Sequence, residues 1–195
     1  MSRGLKSLAI FVAFVAIYTL GRHMIGSSTT TTTTTSTTTT TSVTTSSLGG
    51  TACQAKDFSG VYNEGEGAAG TIYASVTLTK SSAGTCTLKG WPLITLQDKL
   101  GGLMTSSTLD VPTSGNTFQF LTTQANDPPA SVSVGQDGTV QFSLAYSDVQ
   151  SGTTACPDAV TVSVQFVANG GAIDVTPTYP VAPCDGGRVV LSPFY

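Results

Sequence analysis

Beyond Thr71, apolar residues recur at every second position in run after run, and no other feature of the chain restricts its fold so tightly. A period of two places one face of an extended strand on a core and the other toward solvent, so these runs read as half-buried β-strands. Ile72, Ala74, Val76 and Leu78 share one face of the first run, with Tyr73, Ser75, Thr77 and Thr79 on the other. The pattern returns at Cys86 and Leu88, at Ile94 and Leu96, at Phe118 and Phe120, and at Val132 and Val134. It appears again at Val140, Phe142, Leu144 and Tyr146 and at Val160, Val162, Val164 and Phe166, and closing strands are expected over 172–176 and 189–192. Turn signals separate the runs: Ser82-Ala83-Gly84, Gly101-Gly102, Ser114-Gly115-Asn116, Gly135 to Gly138, Gly170-Gly171 and Asp185-Gly186-Gly187. Eight or nine short strands with no amphipathic helix predict an all-β, antiparallel two-sheet sandwich, with an up-and-down barrel as the alternative.

The alternation occupies only the C-terminal part of the chain. Ser7 to Gly21 is an uncharged apolar run flanked by Arg3 and Lys6 on one side and by Arg22 and His23 on the other. A helix of that run alone falls short of a ~30 Å hydrocarbon core, whereas Leu5 to Ile25, with Lys6 and Arg22 reaching to the headgroups, restores a spanning length. The first expectation for 1–26 is therefore a single hydrophobic helix serving as an uncleaved membrane anchor, with the C-terminal domain outside the cell. A cleaved signal peptide and a prepilin-like signal processed near Arg3-Gly4 are the alternatives.

Residues 27–47 are Ser and Thr throughout except Val43, so they hold too little apolar surface to fold. With 48–50 they read as a stalk between the anchor and a domain over 51–195, and as an acceptor for O-linked sugars. Bare, the tract spans about 70 Å fully extended or about 25 Å as a coil.

Cys53, Cys86, Cys156 and Cys184 all fall within that domain and none forms a C-x-x-C pair. Widely spaced, even-numbered cysteines behind an export segment predict two disulfides and an oxidising compartment rather than a zinc site. Chain order suggests Cys53 with Cys86 and Cys156 with Cys184, one of three possible connectivities. In the chain-entropy model each such loop of about 30 residues contributes roughly 3–4 kcal/mol.

All eleven acidic residues lie in the domain, against Lys56, Lys80, Lys89, Lys99 and Arg188, a net charge of minus six. Without a basic patch, nucleic acid is not an expected partner. The only histidine, His23, flanks the apolar segment, so Ser-His-Asp and Cys-His catalysis and histidine-ligated metals are excluded from the domain. No cofactor or metal is expected, and Gly65-Glu66-Gly67 and Gly101-Gly102 lack the strand-to-helix setting of a phosphate loop.

Four residues stand out as candidate ligand contacts. Tyr62, Glu64 and Glu66 lie in a glycine-rich stretch, 57–70, read chiefly as a solvated loop. If that stretch were a strand, the spacing of two would put both carboxylates on one side, an arrangement suited to binding a cation or to acting as acid and base. Trp91 is the only tryptophan; an unbroken alternation exposes it as an anchor for sugar or protein, whereas a bend at Pro92 turns it onto the core, the favoured reading.

Thr85-Cys86-Thr87-Leu88-Lys89-Gly90-Trp91-Pro92, with Cys53, Gly67-Ala68-Ala69-Gly70, Cys156 and Cys184, resembles a family of exported domains of unknown function common in actinobacterial lipoproteins. Its hallmark is Cys-x-Leu-x-Gly-aromatic-Pro. The resemblance covers about 51–195 and implies an immunoglobulin-like sandwich at the cell surface, with no catalytic residue to transfer. The chain departs from those lipoproteins in having no lipobox cysteine, since Cys53 follows Gly49-Gly50-Thr51-Ala52 beyond the stalk. The expected function is a non-enzymatic binding or structural module that meets an envelope protein or a glycan. A subunit of an envelope or filament assembly pairing through sheet edges is the alternative, and a carboxylate-dependent hydrolase the third reading.

Overall fold

The computed structural model describes residues 51–150, 152–153, 155–166 and 170–195. The expected helix over 1–26 and the stalk over 27–50 lie outside the described residues. Among those described, no helix is long and apolar enough to cross a membrane.

Among the described residues, ten strands form three sheets. β1 (Phe58–Ala68), β2 (Thr71–Lys80), β7 (Thr139–Ser147), β10 (Arg188–Leu191) and β5 (Ser107–Asp110) lie side by side in that order. A second sheet pairs β3 (Cys86–Lys89) with β6 (Ser131–Val134), and a third orders β4 (Leu93–Gln97), β8 (Thr161–Gln165) and β9 (Ala172–Val175). Every pair is antiparallel except β5 with β10, which run parallel, so the expectation of a purely antiparallel fold is corrected at that edge.

The alternation read from sequence becomes the core. Val76 and Leu78 on β2, Phe142 and Leu144 on β7, and Val189 and Leu191 on β10 line one face of the large sheet and are fully buried. They share one cluster with Leu88 and Val134 of the second sheet and with Leu96, Val162, Val164 and Val175 of the third. Phe194 stands edge-on to both Phe142 and Phe166, at ring-centroid separations of 5.9 and 6.2 Å, and so joins the layers. Both disulfides form as chain order suggests: Cys53–Cys86 and Cys156–Cys184.

Two segments depart from expectation. The glycine-rich stretch is a long strand rather than a loop: β1 pairs with β2 through a two-residue turn, Ala69-Gly70, both at positive φ as a tight hairpin of this twist requires. Its glycines serve close packing, since a Cβ on Gly60 would sit 2.5 Å from Val175 Cγ1, where β1 meets β9. Phe118 and Phe120, by contrast, alternate without forming a strand. The Asn126 side chain accepts from the Phe120 N–H at 2.7 Å and donates to its carbonyl at 2.9 Å, satisfying the groups that a neighbouring strand would otherwise engage.

That segment explains why β7 is buried on both sides. Residues 111–127 cross the outer face of the large sheet, where Val111, Phe120 and Ala125 pack on Ala145 in a second, smaller cluster. Beneath the cover, β7 carries Ser143 and Ala145, residues small enough to leave room for the aromatic rings above.

Candidate functional site

The hairpin β1–β2 contains one irregularity, and it decides the fate of the two glutamates. Asn63 lies opposite Ser75 and Glu66 opposite Tyr73, so Glu64 and Gly65 together face Ala74 in a β-bulge. The extra residue shifts the alternation by one. Glu66 shares the outer face with Asn63 and Tyr73, whereas Glu64 follows Tyr62 toward the other side. Gly65 is required there, because a Cβ would fall 1.2 Å from the Tyr73 carbonyl oxygen. The Glu64 carboxylate accepts from the backbone N–H groups of Thr178 and Tyr179 and pins the loop that follows β9.

Tyr62 sits on the inner face opposite Val76 and is buried in the main cluster. Its hydroxyl lacks a hydrogen-bond partner among the described residues. Burial, with the nearby Tyr146 hydroxyl and Glu64 carboxylate, pushes its pKa well above the usual tyrosine value. Burial likewise raises Tyr146 on β7, with further upward contributions from Glu64 and Asp148. Trp91 follows Gly90, whose φ of +84° turns the chain between β3 and β4. Its ring packs against the main cluster and its indole N–H donates to the Val111 carbonyl at 2.9 Å. The four candidates thus occupy separate settings: Tyr62 in the core, Glu64 on a loop backbone, Glu66 on the outer face, Trp91 against the cluster rim.

What the fold does assemble lies on the outer face of the large sheet. A polar ladder runs along it: the Asn63 amide donates to Ser75 Oγ and Thr77 Oγ1, and the Gln141 amide donates to Thr77 Oγ1. Ser143 Oγ and the Tyr195 hydroxyl lie 2.8 Å apart in the same row. The covering segment divides the remaining surface. On one side Glu66, Ser75, Phe120 and Thr122 border a recess of about 190 Å³. On the other, a groove of about 360 Å³ is lined by Leu109, Phe118 and Val190 with Asn116, Asp185 and Arg188.

The groove has a fixed wall. Phe118 stacks on Tyr73 at 6.0 Å and meets Phe120 edge-on at 5.1 Å, while Asn116 Oδ1 accepts from the Phe118 N–H at 2.8 Å. Arg188 is exposed at the start of β10, placed there by a tight turn in which Asp185 and Gly186 adopt positive φ. An aromatic wall, an apolar floor and opposed charges suit a ligand with an apolar body and polar substituents. Sequence reasoning passed over these residues, although Arg188 is the only arginine beyond Arg22 and follows directly on Asp185-Gly186-Gly187. A third hollow, of about 560 Å³, borders the Cys156–Cys184 disulfide.

Among the described residues no group of His, Cys, Asp and Glu is arranged to hold a metal ion. No curated protein and no solved structure matches this chain. A family model matches residues 53–195, from the first cysteine through both disulfides to Tyr195. On that match the chain belongs to the family described as Domain of unknown function (DUF4232).

Proposed function

We propose that this chain is a membrane-tethered surface module: a single-pass anchor over 1–26, a Ser/Thr stalk over 27–50, and an immunoglobulin-like domain held outside the cell. The domain binds an envelope protein or glycan without chemical turnover. The groove carries this reading, because its aromatic wall and the Asp185 and Arg188 rim combine shape with polar selectivity. The engagement of Glu64 with backbone N–H groups, and its separation from Glu66 by the bulge, weigh against paired-carboxylate hydrolysis.

The test is retention of envelope extracts and arrayed glycans on the immobilised domain, compared with its Arg188→Ala and Phe118→Ala variants. The reading expects a retained component that both variants lose; Arg188→Ala, on an exposed side chain, keeps the wild-type melting temperature, and Phe118→Ala, which gives up ring contacts with Tyr73 and Phe120, melts lower but still in one cooperative transition. A domain that retains nothing, or variants that retain everything, would overturn it. Turnover of a retained glycan that is abolished by Glu66→Gln would instead establish the hydrolase.

A further inference from the structure

Beside the covering segment, on the side away from the groove, the large sheet keeps an uncharged surface built from hydrogen-bonding side chains. Its outward residues on β1, β2 and β7 fall into two rows across the strands. Val61, Thr77 and Gln141 share one register, and Asn63, Ser75 and Ser143 the next. Five of these six are Ser, Thr, Asn or Gln, and none is charged.

The ladder fixes what this surface offers. The Asn63 amide nitrogen spends both protons on β2, donating to Ser75 Oγ at 3.2 Å and to Thr77 Oγ1 at 2.8 Å. From the opposite strand, the Gln141 amide nitrogen donates to the same Thr77 Oγ1 at 2.9 Å. With both nitrogens aimed at β2, the two amide oxygens turn away from it as acceptors. Thr77 Oγ1 accepts twice, which occupies both lone pairs, so its own proton is left to donate off the ladder. Three neighbouring strands therefore present acceptor, donor and acceptor in a fixed order. Neither amide can rotate without breaking the bonds that hold it. Asn63 and Ser75 also border the recess of about 190 Å³, together with the exposed Glu66, Phe120 and the exposed Leu121.

We propose that this surface binds a neutral glycan, with one hexose ring seated in the recess and the next lying over the ladder. A sugar ring carries adjacent hydroxyls, each able to donate and to accept, around an apolar C–H face. Its hydroxyls meet the Glu66 carboxylate, the amide oxygens and the Thr77 proton, while its C–H face meets Phe120 and Leu121. Charge narrows the class of sugar. The recess is bordered by carboxylates alone, Glu66 and the Glu64 that is turned onto the N–H groups of Thr178 and Tyr179, and the domain is net minus six. Sugar acids and phosphorylated sugars are therefore repelled. A protein partner fits less well, because the centre of a protein interface is apolar and aromatic, whereas this surface exposes only Val61 and Leu121 as large apolar groups. The locked amides lose little further freedom on binding. This site lies across 111–127 from Arg188, so it stands or falls apart from the groove.

The isolated domain is a suitable reagent, since both hydrophobic clusters and both disulfides lie within 53–195. Isotope-labelled domain is titrated, under NMR observation, with linear tetrasaccharides of glucose, mannose, galactose and N-acetylglucosamine, and with tetragalacturonate. At least one neutral tetrasaccharide is expected to shift the side-chain amide signals of Asn63 and Gln141 saturably, and tetragalacturonate to leave them in place. Thr77→Val, which keeps the side-chain shape and removes the central hydroxyl, should weaken that binding about tenfold, and Glu66→Gln, which keeps an acceptor oxygen and removes the charge, about fivefold. Glu66→Gln falls on an exposed side chain and keeps the wild-type melting temperature, and a single cooperative melt certifies the Thr77→Val fold. No saturable shift with any neutral tetrasaccharide overturns the proposal. So does an affinity that neither variant changes, or binding of tetragalacturonate as tight as that of the neutral sugars. Shifts confined to Phe118 and Arg188 overturn this inference and sustain the groove. Saturable shifts at Asn63 and Gln141 in a domain whose groove retains nothing uphold this inference alone.

Discussion

Lys80 ends β2 on the inner side of the sheet and is 2% exposed, a rare position for a lysine. Its ammonium donates to the carbonyls of Ser82, Ala83 and Gly84 and to Ser82 Oγ, so it ties the turn between β2 and β3 to the strand before it. Lys80→Met keeps an unbranched apolar stem of similar reach and removes only the charge and its bonds. Three N–H donors shared among four oxygens are lost, but the turn is mostly exposed and its oxygens regain water, so each bond counts at its net rather than its full desolvation value. Offset by the lifted cost of burying the ammonium, the loss comes to about 2–3 kcal/mol. Lys80→Ala additionally removes three buried methylenes and should cost about 2 kcal/mol more. Urea unfolding at neutral pH, followed by the fluorescence of Trp91, the only tryptophan, measures both variants against the wild type. For a domain of this size the Met variant should melt about 6–9 °C lower. A Met variant as stable as the wild type would refute the reasoning, because the carbonyl cradle would then contribute nothing beyond the burial of the stem.

Other outcomes follow from the same geometry. The Tyr62 pKa is raised in the fold, so the contribution of this group to stability is present below the ordinary tyrosine value of 10.0 and falls as pH rises above it. At pH 11 the loss is about 1.4 kcal/mol for this residue, and Tyr62→Phe should remove that share of the alkaline decline in urea titrations while changing stability at pH 7 by less than about 1 kcal/mol. Gly65→Ala should cost about 2 kcal/mol because the bulge must shift away from the Tyr73 carbonyl, whereas Gly67→Ala, which meets only the flexible end of Ile72 at 3.1 Å, should be near neutral in thermal melts. Under native conditions a mild reductant should open Cys156–Cys184 through the half-buried Cys156, which borders a hollow, before Cys53–Cys86, whose two cysteines are both buried; timed alkylation with peptide mass spectrometry reads the order.

The alternating strands were the legible part of this chain. β2, β7 and the run around β8 bury most of the residues that the period-two pattern singled out, Ile72 and Val160 being half-buried, and the cysteines pair in chain order. β1 was hidden because close packing and a bulge demand glycine at positions 60 and 65, and a glycine-rich run with two glutamates has the composition of a loop. Phe118 and Phe120 misled in the opposite direction, since two asparagine side chains satisfy their backbone in place of a neighbouring strand. β5 carries a single large apolar residue, Leu109, and owes its place to parallel pairing with β10, a long-range contact with no local signal. The groove is harder still to read from sequence: Leu109, Phe118, Arg188 and Val190 come from three separated segments, and only the crossing of 111–127 over the sheet brings them together.

Protease treatment of intact cells, followed by non-reducing peptide mapping of what is released, tests most directly whether this module stands outside the cell on its stalk. Cleavage within 27–50 should free a compact domain carrying the Cys53–Cys86 and Cys156–Cys184 bridges. A chain that stays protected until the cells are lysed, with four thiols open to alkylation, would contradict the account.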